Sequence, residues 1–274
     1  MNRKIGLFIM PRSSSDWRGS EGLWITVAGW AAAAGRKFGK AFILTTDRVA
    51  PPKDVLQYPL GAPKTNNSKS KKFSSFLPLV LITLIKDILL WKSSVNNAHY
   101  DYEFPNMENG VSLVWEEHDL FPEIGYKLAK KHKGPFISYV HAPQVWEAAK
   151  WGVRRPVWGK LIEKMEIKSL KRADIVACVS QQVADKLIRM GIPENKILIS
   201  PMAIDGYLYS DVNSDEIKEE YNLYDKFVIG WTGSFRGFHG LELLVQTYKM
   251  VKDSIPNAHL LLVGDGMQME EIKA

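Results

Sequence analysis

Cysteine is almost absent: the 274-residue chain has one, Cys178, within the apolar run Ile175-Val176-Ala177-Cys178-Val179. No disulfide framework or cysteine metal site can form within the chain, which fits a reducing, cytoplasmic setting. The N-terminus lacks a long apolar stretch followed by a small-residue cleavage site, so Met1 to Met10 reads as a strand and secretion is not expected. An uninterrupted apolar run of roughly 20 residues, the length a membrane-spanning helix needs, is also missing. The segment that comes nearest, Phe76 to Ile85, meets Lys86-Asp87 before Ile88 to Trp91. It reads as a buried or amphipathic helix, with an interfacial membrane helix as the alternative. The first strand is not followed by G-x-G-x-x-G, which argues against NAD and any other dinucleotide cofactor.

What is present describes a folded chain. Hydrophobic residues make up 46% and charged ones 24%, enough for a core and too apolar for wholesale disorder. The 36 basic against 30 acidic residues give +6, a balance that favours anionic partners: phosphates, acidic lipid surfaces or nucleic acid. Nucleic acid is the weakest of these, because the aromatics sit in apolar runs and do not alternate with basic residues.

Short β-branched runs alternate with longer helical patterns from end to end, the mark of a parallel sheet covered by helices. Strands are expected at Ile5–Met10, Ala41–Thr46, Val111–Trp115, Phe136–Val140, Ile175–Val179, Ile197–Ser200, Phe227–Trp231 and His259–Val263. Helices are expected near Glu21–Ala34, Phe76–Trp91, Ile124–Lys131, Val157–Arg172, Gln181–Met190 and Leu241–Lys252, with a last one beginning near Met267. The fold class is therefore α/β with two Rossmann-like domains. Residues 1–205 would hold six strands, 206–224 would form the crossing, and 225–274 would supply only the start of the second domain. Pro63 to Ser75 and Asn96 to Asn109 read as surface connections.

Two βα loops carry chemistry. In the first, the strand ending Ile229-Gly230-Trp231 enters Thr232-Gly233-Ser234-Phe235-Arg236-Gly237-Phe238-His239-Gly240 and leaves as the helix starting Leu241-Glu242. Such a turn aims backbone N–H groups and the positive end of a helix at one point, where an anion is stabilised. Gly233 and Gly240 permit close approach or positive φ, Arg236 can fork onto two phosphate oxygens, and His239 can add a donor. An ordinary tight βα turn is the plainer alternative. In the second, strand Phe136–Val140 runs into His141, which stands where open α/β sheets place ligands. One strand earlier, Val111–Trp115 ends in Glu116-Glu117-His118-Asp119, so His118 is expected on the same crevice. A capping or core histidine is the alternative for His141, and for His118 a polar turn held by Glu117 and Asp119.

The stretch Gly233 to Gly240, its helix, and Leu260-Leu261-Leu262-Val263-Gly264-Asp265-Gly266 resemble the start of the donor-binding domain of retaining glycosyltransferase family 4, of the GT-B fold. The resemblance implies a hexosyltransferase that moves a sugar from a nucleotide-sugar donor to a glycan or lipid-linked acceptor with retention. A G-x₆-G loop would hold the diphosphate, with Gly264 and Gly266 ending the next strand. The usual loop has Arg after its first glycine and Lys before its second. Ser234 and His239 stand there here, leaving the positive charge to Arg236 alone or shared with a protonated His239. The resemblance also gives His141 and His118 the acceptor-side roles, and the loop containing Gly19 and Ser20 a donor or acceptor contact. It implies no cofactor and no metal. The chain has no D-x-D, the diphosphate-metal signature of the other large glycosyltransferase fold, and Asp101-Tyr102-Glu103 falls in an irregular, solvated connection.

The basic surface has two readings, a solvated face or attraction to an anionic membrane at the cytoplasmic side. Lys64, Lys69, Lys71 and Lys72 crowd one loop, Lys127, Lys130, Lys131 and Lys133 follow one helix, and Phe73, Phe76 and Leu77 are placed to dip into lipid. The family's E-x₇-E segment, downstream of V-G-x-G, is not reached by Ala274. The expectation is accordingly a fragment that is inactive by itself, with a non-catalytic binding module or half of a split enzyme as the alternative reading.

Overall fold

The computed structural model describes residues 4–14, 21–56, 78–96, 110–203 and 213–273. The chain divides into two compact units, Met1–Gly206 and Tyr207–Ala274. Gly19 and Ser20, the lysines at 64, 69, 71 and 72, the apolar residues 73, 76 and 77, and the triplet 101–103 lie outside the described residues.

In the first unit the described strands are β1 (Lys4–Ile9), β2 (Gly39–Leu44), β3 (Val49–Ala50), β4 (Val111–Glu117), β5 (Phe136–Val140), β6 (Ile175–Cys178) and β7 (Ile197–Ile199). They form one seven-stranded sheet in the order β3-β2-β1-β4-β5-β6-β7, parallel except for β3, which pairs antiparallel to β2 at the edge. The sequence reading of six strands omitted β3, whose two residues are too short for any periodicity.

Because the sheet is buried on both faces, its strands are apolar on both. In β1, Ile5, Leu7 and Ile9 join a core shared with α4 (Ile124–His132), α6 (Gly159–Leu170) and α7 (Gln181–Arg189), while Phe8 enters the opposite core beneath α1 (Glu21–Phe38). Helix α1 buries Trp24, Val27, Ala28 and Ala31, an i, i+3, i+4, i+7 stripe against the sheet. On the other side α4 buries Ile124, Gly125, Leu128 and Ala129, and α7 buries Ala184 and Leu187. Ser180 caps α7, its hydroxyl accepting from Val183 N at 3.4 Å. Cys178 is buried in the same core as a free thiol.

Two short helices complete the described first unit, α2 (Pro52–Leu56) and α5 (Gln144–Lys150), together with α3 (Leu79–Asn96). No helix among the described residues is long and apolar enough to cross a membrane. Of the readings given for this segment, a buried or an amphipathic helix or an interfacial one, full burial of α3 is corrected. From Leu79 to Ser94 its one buried residue is Asp87, while Leu79, Leu89, Leu90 and Trp91 are exposed. Asp87 accepts from Arg155 Nε at 2.7 Å, Arg155 Nη2 at 2.9 Å and Trp158 Nε1 at 2.8 Å. A partner 68 residues away in sequence thus decides which side of the helix faces inward.

The second unit contains α8 (Asp215–Glu220), β8 (Phe227–Ser234), α9 (Leu241–Ser254), β9 (Ala258–Asp265) and α10 (Met269–Lys273). β8 and β9 pair in parallel in uninterrupted register from Phe227↔Ala258 to Ser234↔Asp265, joined through α9.

Candidate functional site

In the first unit the strand order reverses between β1 and β4, so the crevice beyond their carboxyl ends is where a doubly wound sheet receives a ligand. The connection after β1 is fixed to the one after β2: Ser14 N and Oγ donate to Asp47 at 2.7 and 2.5 Å, and Thr45 Oγ1 donates to it at 2.8 Å. Burial alone would raise Asp47, but these hydrogen bonds outweigh it and hold the carboxyl below its ordinary range.

β4 and β5 end side by side with Glu117 opposite Tyr139. Two residues beyond Tyr139, on the same side of the pleat, His141 brings Nε2 to 2.8 Å from Glu117 Oε1. His141 is 31% exposed and Glu117 6%. Burial raises the Glu117 carboxyl, opposed by the hydrogen bond and charge of His141 and by the charge of Arg12. Among the described residues Glu117 Oε2 has no hydrogen-bond partner. The ring of His141 stands edge-on to Tyr139 at 5.2 Å, and Tyr139 continues into a cluster with Trp30 and Trp115. Tyr139 donates its hydroxyl to Ser200 O at 2.8 Å, and burial pushes its phenol well above the usual range. The result is a histidine on a rigid aromatic wall with a carboxylate at Nε2. Nδ1 is the ring nitrogen that Glu117 does not engage.

His118 is a correction. It was expected beside His141 on one open crevice, or held by Glu117 and Asp119, but it is buried and contacts Glu166 of α6, Nε2 to Oε1 at 3.2 Å. The cause is the pleat: His118 N donates to Tyr139 O, extending the β4 ladder by one residue, so residue 118 turns away from residue 117. Glu166 is fully buried and also accepts from Gln144 N at 2.5 Å and Val145 N at 3.3 Å. Those are N–H groups of the first turn of α5, whose N-cap Pro143 makes no side-chain cap bond. His118 and Glu166 therefore hold the start of α5, three residues beyond His141.

Glu166 was missed by the sequence reading, which set Glu117 beside His118 and not beside His141. The register could have found Glu117, since equal strand ends put residues 117, 139 and 141 on one face. Nothing local marks Glu166, because its donors lie 48 and 22 residues upstream.

Glu116, on the other face, accepts from Gly125 N at 3.1 Å. Burial pushes its carboxyl up to about 8; the Gly125 hydrogen bond opposes this and the charges of Asp119 and Glu123 add to it. With the folded value above the ordinary 4.5, the folded state holds a proton that the unfolded chain releases. The Glu116 contribution to stability is present in full below about 4.5 and is lost as pH rises through about 8. Glu116→Gln should flatten this fall in urea unfolding followed across that window. An unchanged pH slope would place the proton elsewhere.

In the second unit the glycine loop closes the β8–α9 turn. Gly240 has φ +66°, a left-handed conformation that side chains other than hydrogen adopt at a cost, and it begins α9 with no side-chain cap. At the ends of the paired strands, a Cβ on Gly264 would lie 1.8 Å from Gly233 O and one on Gly266 2.4 Å from Phe235 O. The two strand ends approach too closely for any other residue. Phe235 is buried, with Phe235 N donating to Asp265 O at 2.9 Å, and this pins the middle of the loop. Ser234 Oγ and His239 Nε2 are 3.2 Å apart, with the His239 ring edge-on to Trp231 at 5.6 Å. Arg236 is exposed. The loop thus gathers Gly233, Ser234, His239 and Gly240 at the start of a 14-residue helix, and Arg236 extends from it. Among the described residues no group of three His, Cys, Asp or Glu side chains could hold a metal ion.

A doubly wound parallel sheet followed by a second parallel βαβ unit defines a GT-B type architecture. Residues 108–206, from just before β4 to the end of the first unit, match the family described as Glycosyltransferase Family 4, and over that stretch the chain is similar to this family. The match falls on the half carrying His141, whereas the motif resemblance came from the second unit. Among solved structures the chain is similar to Anabaena Alr3699/HepE in complex with UDP, at 12% identity and a TM-score of 0.50 over 98% of this chain and 64% of that one. It is also similar to a glycosyltransferase from Rickettsia africae, at 14% identity and a TM-score of 0.51 over 100% of this chain and 63% of that one. At these identities the likeness is one of fold, and the chain spans less than two thirds of either protein. Comparison with curated proteins gives no match.

Proposed function

We propose that the chain belongs to a nucleotide-sugar-dependent hexosyltransferase that acts with retention on a glycan or lipid-linked acceptor, working as a peripheral enzyme at an anionic membrane face. The observation that carries the donor half is the β8–α9 turn, with its uncapped helix start, close glycine contacts and exposed guanidinium. When the nucleoside diphosphate leaves, negative charge builds on its phosphate oxygens. N–H groups at Gly240 and the first turn of α9, together with Arg236, lower that barrier because they are already oriented. This arrangement supplies the charge without a metal. UDP is the first nucleotide to try, since the Anabaena protein was crystallised with it. On the acceptor side, His141 braced by Glu117 is suited to hold a sugar hydroxyl.

The test is calorimetric titration of the full-length protein with UDP, GDP and ADP. Arg236→Ala should weaken the preferred nucleotide by about 10- to 100-fold, the value of one charge-assisted hydrogen bond to phosphate of roughly 1.5–3 kcal/mol. Unchanged affinity would remove Arg236 from the site, and no binding of any of the three would overturn the donor assignment. The first unit has a seven-stranded sheet and its own two cores, which favours one second reading, a binding module without turnover. Acceptor binding with no transfer in the presence of donor would select it.

A further inference from the structure

Helix α3 is built inside out. At 100° per residue, Leu81, Ile85 and Leu89 form one stripe at i, i+4, i+8, and Asp87 lies roughly 200° from Ile85 and from Leu89, on the far side. The far side is the one held down, because Asp87 is buried and takes three hydrogen bonds from Arg155 and Trp158. The leucine stripe points away, and Leu89 is 60% exposed. Val80 and Leu84 are half-buried on the aspartate's side, but the outward Leu81/Ile85/Leu89 stripe gains nothing from water; that arrangement is stable when a second apolar phase receives the stripe.

Charge identifies that phase. Arg155 and Trp158 lead directly into α6, which exposes Leu161 and Met165 at i, i+4. Beside this row runs a second, Lys160, Lys164 and Lys168, all three exposed. On α3 the single acid is neutralised by Arg155 and Lys86 is exposed. Apolar rows edged by lysines, with Asp87 and Glu166 buried and Glu163 half-buried, complement a surface that is hydrocarbon below and anionic above. An acidic protein groove would match the lysines but gives no reason for the length of the leucine stripe.

We propose that the Leu81/Ile85/Leu89 stripe of α3 inserts into the interface of an anionic lipid bilayer, with the lysine row of α6 resting on the headgroups. This rests on the membrane-contact part of the functional reading; it takes up the interfacial alternative for this helix and moves the charged part of the contact from the loop and α4 lysines to those of α6.

Co-sedimentation of the chain with phosphatidylcholine vesicles, with and without phosphatidylglycerol, tests it. The chain should bind the anionic vesicles, and added salt should weaken binding. Each basic side chain near an anionic surface contributes about 1 kcal/mol, or roughly fivefold in affinity. Lys160→Glu/Lys164→Glu should therefore lower binding by at least about 25-fold, and Leu89→Glu should abolish it with the circular dichroism spectrum unchanged. Lys127→Glu/Lys130→Glu on α4 should change it far less. Equal binding to neutral vesicles, or loss confined to the α4 pair, would overturn the proposal. So would absence of vesicle binding together with a dimer that Leu89→Glu dissociates, which would make the patch a contact between copies. Nucleotide affinity of the same variants, unchanged from the parent chain, keeps this outcome separate from the donor assignment.

Discussion

In the full-length protein, His141→Ala is expected to lower sugar transfer by about 10²- to 10⁴-fold at saturating donor, the range for losing a side chain that exchanges or holds a proton at the reacting group. Folding should be little changed, because His141 is about a third exposed and its removal opens no core. Glu117 then loses the partner that opposes its burial, and its carboxyl is raised further. The pH–rate profile of Glu117→Gln provides the companion measurement. A carboxamide keeps the shape behind the ring and removes the charge, so the profile should shift while donor binding stays constant. If His141→Ala transferred sugar at the parental rate, the histidine would be a capping side chain and no more.

Glu166→Ala carries the second large effect, on stability. Three donors converge on this one carboxylate, His118 Nε2 and the N–H groups of Gln144 and Val145, and all lose their acceptor at once. Removing one partner of a buried charged network costs about 3–5 kcal/mol, read as a lower urea midpoint with an unchanged slope. Glu166→Gln should recover part of that loss, since its single carbonyl can still accept. Its amide, however, meets donors where the second oxygen stood. Glu166→Ala with parental stability would mean that the start of α5 is held by other contacts.

Most of the sheet was legible because parallel strands buried on both faces are written as short apolar runs, and every expected strand has a described counterpart. What escaped depends on distance in sequence. Helix α5 has no cap of its own, so no local signal marks its start; the cap is Glu166, 22 residues downstream. The partner of His118 was sought among its neighbours and is 48 residues away. The apolar content of α3 was plain, yet which side faces inward is set by Arg155 and Trp158, which no helical period contains. In the candidate site, the exposure of His141 at a strand end followed from topology. The pairing with Glu117 needed the register of two strands, and the Ser234–His239 contact needed the fold of the turn.

The polar pin at Asp87 has a consequence for how this surface can vary over generations. Core helices resist substitution because each apolar side chain is tied to the stability of the whole sheet. On α3 the one fully buried side chain from Leu79 to Ser94 is the aspartate held by Arg155 and Trp158, so the exposed outward residues can be exchanged with little effect on unfolding. Drift there would retune what the helix docks on, and how firmly, while the machinery at the strand ends is preserved.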